Sequence, residues 1–292
     1  MDSQSRTKLN SEREDFAESS FFVGQNMRND LEIITKSFPL EQNELHVYAL
    51  GDIHVGSPEF DETSIKKKIK IIQDDPVGVF VLCGDVADFG LKNSKSNVYL
   101  QTLSPKQQQE YVYELFKPIA KKMTGCVAGN HEDRITRDVG LSPLYDLCVL
   151  WGVEEVYREN VAITKYSFGS AKSGNQQNVF IGITTHGSTR NKHKKFISCF
   201  ENADFAVAGH THTPEYSPHG RIRIERHHAT ARHVPYKEIV VDANLSVGGY
   251  GVKKEYEIPP PPELQYLELK TVREPNHIRT LHRVMNYHSI SL

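Results

Sequence analysis

Five apolar, strand-like runs in this 292-residue chain each stop beside a glycine and a cluster of Asp, Asn or His side chains. The clusters are Gly51-Asp52-Ile53-His54, Gly84-Asp85-Val86-Ala87-Asp88, Gly129-Asn130-His131-Glu132, Thr185-His186-Gly187 and Gly209-His210-Thr211-His212. In open α/β sheets, ligands collect outside the carboxyl ends of the strands. A chain that repeats this arrangement five times is constrained to an α/β fold in which the five loops can converge.

The segments between the clusters have matching periodicity. Residues 45–50 and 77–83 read as buried strands. Ile65, Ile69 and Ile72 recur at helical spacing among Lys66, Lys67, Lys68 and Lys70, which predicts an amphipathic helix. Ser104-Pro105 and Ser142-Pro143 each place a capping serine before a proline at the first helical position. The helix after Ser104 aligns Val112, Leu115, Phe116, Ile119 and Met123, with a kink or early end expected at Pro118. Residues 125–128 form a short third strand. Strands then dominate, over 161–168, 179–184, 205–208, 221–225, 238–241 and 264–269, with one helix near 194–202. Residues 1–30 are polar and aperiodic, so a mobile N-terminal arm is expected. It precedes a single domain over 31–292 whose C-terminal part is rich in β-structure. Pro259 to Pro262 read as a rigid connector inside that domain.

Hydrophobic residues make up 38% and charged residues 25%, the balance of an ordinary globular chain. No run of about 18 apolar residues exists, so no membrane span is expected. The first fifteen residues lack an apolar core, which argues against a secretory leader. The four cysteines show no C-x-x-C spacing, so a zinc ribbon is not expected. Cys83, Cys126 and Cys148 sit in apolar segments as buried thiols, and a cytoplasmic location is expected. A net charge of −2 leaves any nucleic acid to a local basic patch.

The ligand types are chemically coherent. Two divalent ions about 3.5–4 Å apart need a bridging carboxylate, with imidazole and carboxamide completing each shell. Asp52-x-His54 and His210-x-His212 let both members of a pair project from one tight loop. Taken singly each element is ordinary, because a lone His is more often solvated and Gly-Asn is good turn chemistry. Five in order, each at a strand end, point to a metal centre.

Together the blocks resemble the calcineurin-like metallophosphoesterase superfamily over residues 45–213. The resemblance implies a four-layer α/β/β/α sandwich of two mixed sheets flanked by helices. It also implies a hydrolase of phosphoester bonds in which a metal-activated water attacks phosphorus. Asp52, His54 and His212 would hold one metal, Asn130, His186 and His210 a second, and Asp85 would bridge them. His131 would face the substrate, stabilising the transition state or protonating the leaving oxygen. Asp88 and Glu132 would orient ligand imidazoles. Two divalent cations are implied, with Mn ahead of Fe, Zn, Mg or Ni.

The substrate is less constrained. Serine/threonine protein phosphatases of this superfamily carry an Arg directly after the second Asp of the GDxxD block, where this chain has Phe89. Asp52-Ile53-His54-Val55-Gly56 looks more like the DNA-repair nuclease branch. Between Gly187 and His233 there are eight basic residues against four acidic ones, a net of +4. Arg190, Lys192, Lys194 and Lys195 follow His186 closely and can flank phosphates, although a solvated helix start explains them as well. Arg134 can reach a phosphate as a fork or pair with Asp138 one turn on. A phosphodiesterase or nuclease acting on nucleotides or nucleic acid is the expected function. A phosphomonoesterase on a small molecule or protein, or a silent metal-binding scaffold, are the alternatives, and the intact ligand set argues against the last. His219, His227, His228 and His233 read as surface histidines on a loop, and Gly248 to Gly251 as a flexible loop. The sequence carries no signal for an oligomeric state.

Overall fold

The computed structural model describes residues 31–39, 41–92, 94, 98–169, 178–225, 230–248, 261–274 and 277–292. The expected arm over 1–30, Pro259, Pro260, Gly249 to Gly251, His227 and His228 lie outside these residues.

Among the described residues, twelve strands form two mixed six-stranded sheets. One sheet carries, in spatial order, β12 (His277–Ser291), β11 (Glu263–Glu274), β2 (Glu44–Leu50), β3 (Gly78–Leu82), β4 (Met123–Val127) and β5 (Tyr157–Arg158). β2 to β5 run parallel, whereas β11 is antiparallel to both β2 and β12. The other sheet carries β1 (Ile34–Phe38), β6 (Val161–Phe168), β7 (Asn178–Thr185), β8 (Phe205–Ala208), β10 (Thr230–Val240) and β9 (Glu215–Glu225). Here β1 and β6, β7 and β8, and β8 and β10 pair in parallel, and the other two pairs are antiparallel.

Strand alternation decides which side chains go between the sheets. Leu45, Val47 and Ala49 of β2 join Tyr166, Phe168, Phe180, Phe205 and Val207 of the facing sheet in one buried cluster. Tyr48 and Leu50 point the other way, onto α1 (Glu62–Asp74), α2 (Pro105–Phe116) and α4 (Pro143–Trp151). The outer face of the second sheet packs Val161, Ile183, Ala206 and Tyr236 against Ile197 of α5 (Arg190–Ser198). The result is the four-layer α/β/β/α sandwich. Each aliphatic side chain buried this way contributes about 1.5–3 kcal/mol.

The caps follow the sequence. Asp61 accepts from Ser64 N at 3.0 Å to start α1, and Ser104 and Gln107 form a reciprocal capping box at the start of α2. Several expectations are corrected. α2 stops at Phe116, two residues before Pro118, so Met123 opens β4 instead of continuing the helical face. α3 (Asn130–Val139) is an extra helix whose sequence is polar except for Ile135 and Val139. β1 and β12 are strands without a clear apolar run, and β9 and β10 extend well beyond the short segments expected. His219 and His233 lie on those two strands and not on a loop. Cys83, Cys126 and Cys148 are buried free thiols. No helix of the described residues is long and apolar enough to cross a membrane.

Lys68 departs from its solvated neighbours. It is 1% exposed and gives its ammonium to Asp242 Oδ1 at 2.7 Å, tying α1 to the end of β10. Removing one member of a buried pair strands the other charge. Asp242→Ala is therefore expected to lower stability by about 3–5 kcal/mol in urea unfolding. Lys66→Ala, on the exposed face of the same helix, is expected to stay within about 0.5 kcal/mol.

Candidate metal centre

Every candidate ligand sits just past the carboxyl end of a strand, on a loop or in the first turn of a helix. Asp52 and His54 follow β2, Asp85 and Asp88 follow β3, Asn130 and His131 open α3 after β4, His186 follows β7, and His210 and His212 follow β8. To turn side chains inward within so few residues, the backbone enters the left-handed region. Six non-glycine residues among the described residues have φ > 0, and Asp52, His54, Asp85, His210 and His212 are five of them. Left-handed backbone at a non-glycine residue is strained and persists where surrounding contacts enforce it.

Those contacts are visible. Asp85 Oδ1 accepts the His131 N–H at 2.9 Å, while Glu132, in the first turn of α3, accepts Asp85 N at 2.8 Å, Val86 N at 2.9 Å and Gly129 N at 2.8 Å. The β3 and β4 loops are thereby locked to each other. Gly129 leaves room for this, since a Cβ there would lie 2.1 Å from Asp85 Oδ1. Asp52 Oδ2 accepts His210 N at 2.7 Å and joins the β2 and β8 loops in the same manner.

Two groups of donor atoms result. Asp52, His54 and His212 bring ligand atoms within 4.8 Å of one another, as do Asp85, His186 and His210. Asn130 Oδ1 joins the second group, 2.7 Å from His210 Nδ1 and 3.0 Å from His186 Nε2. Asp85 also groups with His54 and His131, so it lies between the two sets.

The donor chemistry fits divalent cations. His186 Nδ1 donates to the Cys83 carbonyl at 2.6 Å, which turns Nε2 toward Asn130 Oδ1 and, at 3.3 Å, Asp85 Oδ2. His54 Nε2 and His212 Nε2 stand 3.0 Å apart, and Asp52 Oδ1 is buried without a hydrogen-bond partner. Imidazole nitrogens and carboxylate oxygens crowded this closely in a buried site need a proton or a cation between them, and this mix of donors suits a divalent ion.

The charges are correspondingly displaced. Burial pushes the Asp52 carboxyl up to about 6, against the pull of His186. Burial would raise Asp85 as well, but the charges on His186, His131 and His54 hold it well below the usual carboxylate range. Burial would lower His186, but Asp85 and Asp52 lift it to about 10. Burial and the His54 imidazole push His212 down to about 3.

His131 donates Nδ1–H to the Asp88 carbonyl at 2.6 Å, which leaves Nε2 turned to the centre, 3.8 Å from Asp85 Oδ2. Burial lowers its pKa. The Asp88 carboxylate lies 3.4 Å from His131 Nδ1 and 3.8 Å from His54 Nδ1. Glu132, expected beside an imidazole, instead holds backbone N–H groups. Arg134 Nη1 reaches the Asp88 carbonyl at 3.5 Å, and Asp138 lies 3.8 Å from Arg137 Nε. Arg190 opens α5, and its side chain lies outside the described residues. Of the basic residues further on, Arg221 and Arg223 turn away to the Phe200 and Asn202 carbonyls.

Two glutamines at the centre were missed in the sequence. Gln101 Nε2 donates to the Asp88 carboxylate, and Gln108 is fully buried behind it. A run of three glutamines, Gln107 to Gln109, reads as a solvated helix surface and gives no signal for this. Glu44, His46 and Glu268 form another group of possible ligands elsewhere, but Lys270 Nζ already lies 3.2 Å from Glu44 and 2.6 Å from Glu268.

The family described as calcineurin-like phosphoesterase has a model that matches residues 45–214. Solved structures similar to this chain include a predicted phosphoesterase from Streptococcus pneumoniae TIGR4, at 11% identity and TM-score 0.35, covering 85% of this chain and 98% of that one. A metallophosphoesterase from Sphaerobacter thermophilus is 14% identical with TM-score 0.35, over 85% and 89% of the two chains. Vps29 from Chaetomium thermophilum is 8% identical with TM-score 0.39, over 85% and 97%. No curated protein sequence matches.

Glu132→Gln would set an amide NH2 against backbone N–H groups that now meet a carboxylate. Cation affinity is expected to fall roughly 10–100-fold, measured by calorimetric titration of the metal-stripped protein with Mn²⁺. An unchanged affinity would show that the loop lock does not shape the centre.

Proposed function

The chain belongs to the calcineurin-like phosphoesterase family, hydrolases of phosphoester bonds that work with divalent metal, and on that premise we propose that it is a dinuclear phosphodiesterase acting on nucleotides or nucleic acid. The observation that carries the reading is the convergence of eight side chains from five strand ends, with polar atoms of Asp52, His54, Asp85, Asn130, His186, His210 and His212 turned inward and His131 beside them. Asp52, His54 and His212 would hold one cation and Asn130, His186 and His210 the other, with Asp85 between the two sets. Imidazole with carboxylate and carboxamide suits Mn, Fe or Zn, and we place Mn first. Bound there, the two cations supply Lewis-acid charge to the phosphoryl oxygens and lower the pKa of the attacking water.

The chain's own residues do the rest. The left-handed backbone at Asp52, His54, Asp85, His210 and His212 fixes the direction of five of the seven ligands, so little reorganisation is left for the reacting state. His131 keeps Nδ1 on the Asp88 carbonyl and offers Nε2 to the leaving oxygen. Arg134, beside the same carbonyl, supplies a guanidinium for a non-bridging oxygen.

The residues around the site favour a diester. The position at which protein phosphatases of the family carry an Arg is Phe89, buried at 2% exposure. Lys192 and Lys195 on α5 are exposed just beyond the His186 loop, where the next phosphates of a polynucleotide would run.

Bis-p-nitrophenyl phosphate and p-nitrophenyl phosphate, assayed with Mn²⁺, separate the readings. The diester is expected to be cleaved faster, with activity abolished by EDTA and restored by added metal. On diphenyl phosphate, whose poorer leaving group needs the proton, His131→Ala is expected to lower kcat by roughly 10²–10⁴-fold while Mn²⁺ still binds. A monoester cleaved faster than the diester would overturn the phosphodiesterase reading.

A further inference from the structure

We infer that Gln108, on the buried face of α2, is a positioning residue for His131, acting through the peptide that joins Asp88 to Phe89. The inference rests on the phosphodiesterase reading for its kinetic consequence, although its geometry stands apart from that reading.

The Asp88–Phe89 peptide is gripped from both sides. Its carbonyl accepts His131 Nδ1–H at 2.6 Å, and its N–H donates to Gln108 Oε1 at 2.8 Å. Phe89 has a φ of 41°, a left-handed value that a bulky side chain adopts only when held. Rotation of this peptide back toward an ordinary conformation would swing the carbonyl away from His131. The imidazole would then lose the acceptor that fixes its tautomer and ring plane.

Gln108 is itself fixed. It is 0% exposed, and its Nε2 donates to Gln101 Oε1 and to the Leu103 carbonyl, both at 2.8 Å. Gln101 in turn donates to the Asp88 carboxylate, so the two glutamines hold the Asp88 side chain and the Phe89 N–H that follows it. Gly56, in the loop that carries His54, packs so closely on Gln108 that a Cβ there would lie 2.3 Å from its amide. Thr102 N donates to the Gly56 carbonyl at 3.0 Å and closes the same unit. One buried amide therefore links α2, the 98–104 segment and both loops that face His131. Its hydrogen bonds go to Phe89, Gln101 and Leu103 and to none of the candidate ligands, which distinguishes a positioning role from a catalytic one.

The test combines a spectroscopic readout with a kinetic one. In proton–nitrogen NMR of the full chain, the His131 Nδ1 ring proton is expected well downfield in the native protein. Gln108→Met, which keeps the volume and removes the amide, is expected to shift or broaden that resonance. Kinetically, diphenyl phosphate has a poorer leaving group than bis-p-nitrophenyl phosphate and depends more on help from His131. Gln108→Met is expected to lower kcat roughly 10–100-fold on the first and less than about threefold on the second, with KM nearly constant. In a His131→Ala background the same change is expected to add nothing further.

An unmoved ring proton, an equal loss on both esters, or losses that add to that of His131→Ala would each overturn the inference. A native chain that hydrolyses neither ester, yet whose ring proton shifts in Gln108→Met, would refute the phosphodiesterase reading and leave the positioning role standing. Should Gln108→Met fail to fold, Gln101→Met, at the more exposed end of the pair, is expected to move the same resonance in the same direction.

Discussion

One buried carboxylate holds the two loops on which the centre is built. Glu132 accepts the N–H groups of Asp85, Val86 and Gly129, three donors that would otherwise be orphaned in the interior. It belongs to the first turn of α3, where the exposed N–H groups of a helix favour negative charge. Asp85 returns the arrangement by accepting the His131 N–H, so each loop caps the other. The position of Asp85 between the two ligand sets, the aim of Asn130 and the rotation of His131 all depend on this exchange. Its cost is a carboxyl group that burial and the Asp85 charge push up to about 7, with the N–H bonds acting in the opposite direction.

The centre stores its constraint in the backbone. Asp and His are among the residues that tolerate left-handed φ better than most. This is one reason that such loops can follow a strand end directly and still aim a side chain inward. Phe89 has no such tolerance and is held by a buried amide. The difference separates residues whose chemistry suits their conformation from one whose conformation is imposed by its neighbours.

Much of this was legible in the chain, and the reasons are local. The strands at 45–50, 77–83, 161–168 and 205–208 are short apolar runs ended by turn residues, so periodicity and punctuation agree. The cap at Ser104, the proline that opens the helix after Ser142 and the clusters at strand ends are short-range patterns of the same kind, although the Ser142 side chain makes no cap bond. What escaped depends on distant partners. Lys68 reads as one of several solvated lysines, because nothing in its neighbourhood announces Asp242. Gln108 reads as part of a polar run, and its burial follows from Gly56 and the 98–104 segment. β12 alternates but includes many polar residues, and it becomes a strand because β11 offers a full-length partner. α3 carries few apolar residues, and its start is set by Asp85 and Glu132.

The pairing of β11 with β2 reaches beyond the folded state. Tyr266 lies opposite Tyr48 and Lys270 opposite Glu44, so a strand near the end of the chain completes the sheet that one near its beginning starts. Loop-closure entropy must be met before such contacts return any stability, and folding dominated by distant pairings is slow. During synthesis the β2 edge waits unpaired until β11 emerges, presenting free N–H and C=O groups of the sort that recruit foreign strands. The order in which the chain is made thus leaves the sheet that supports the ligand loops as a late product of biosynthesis, and gives the nascent chain a prolonged need for protection from aggregation.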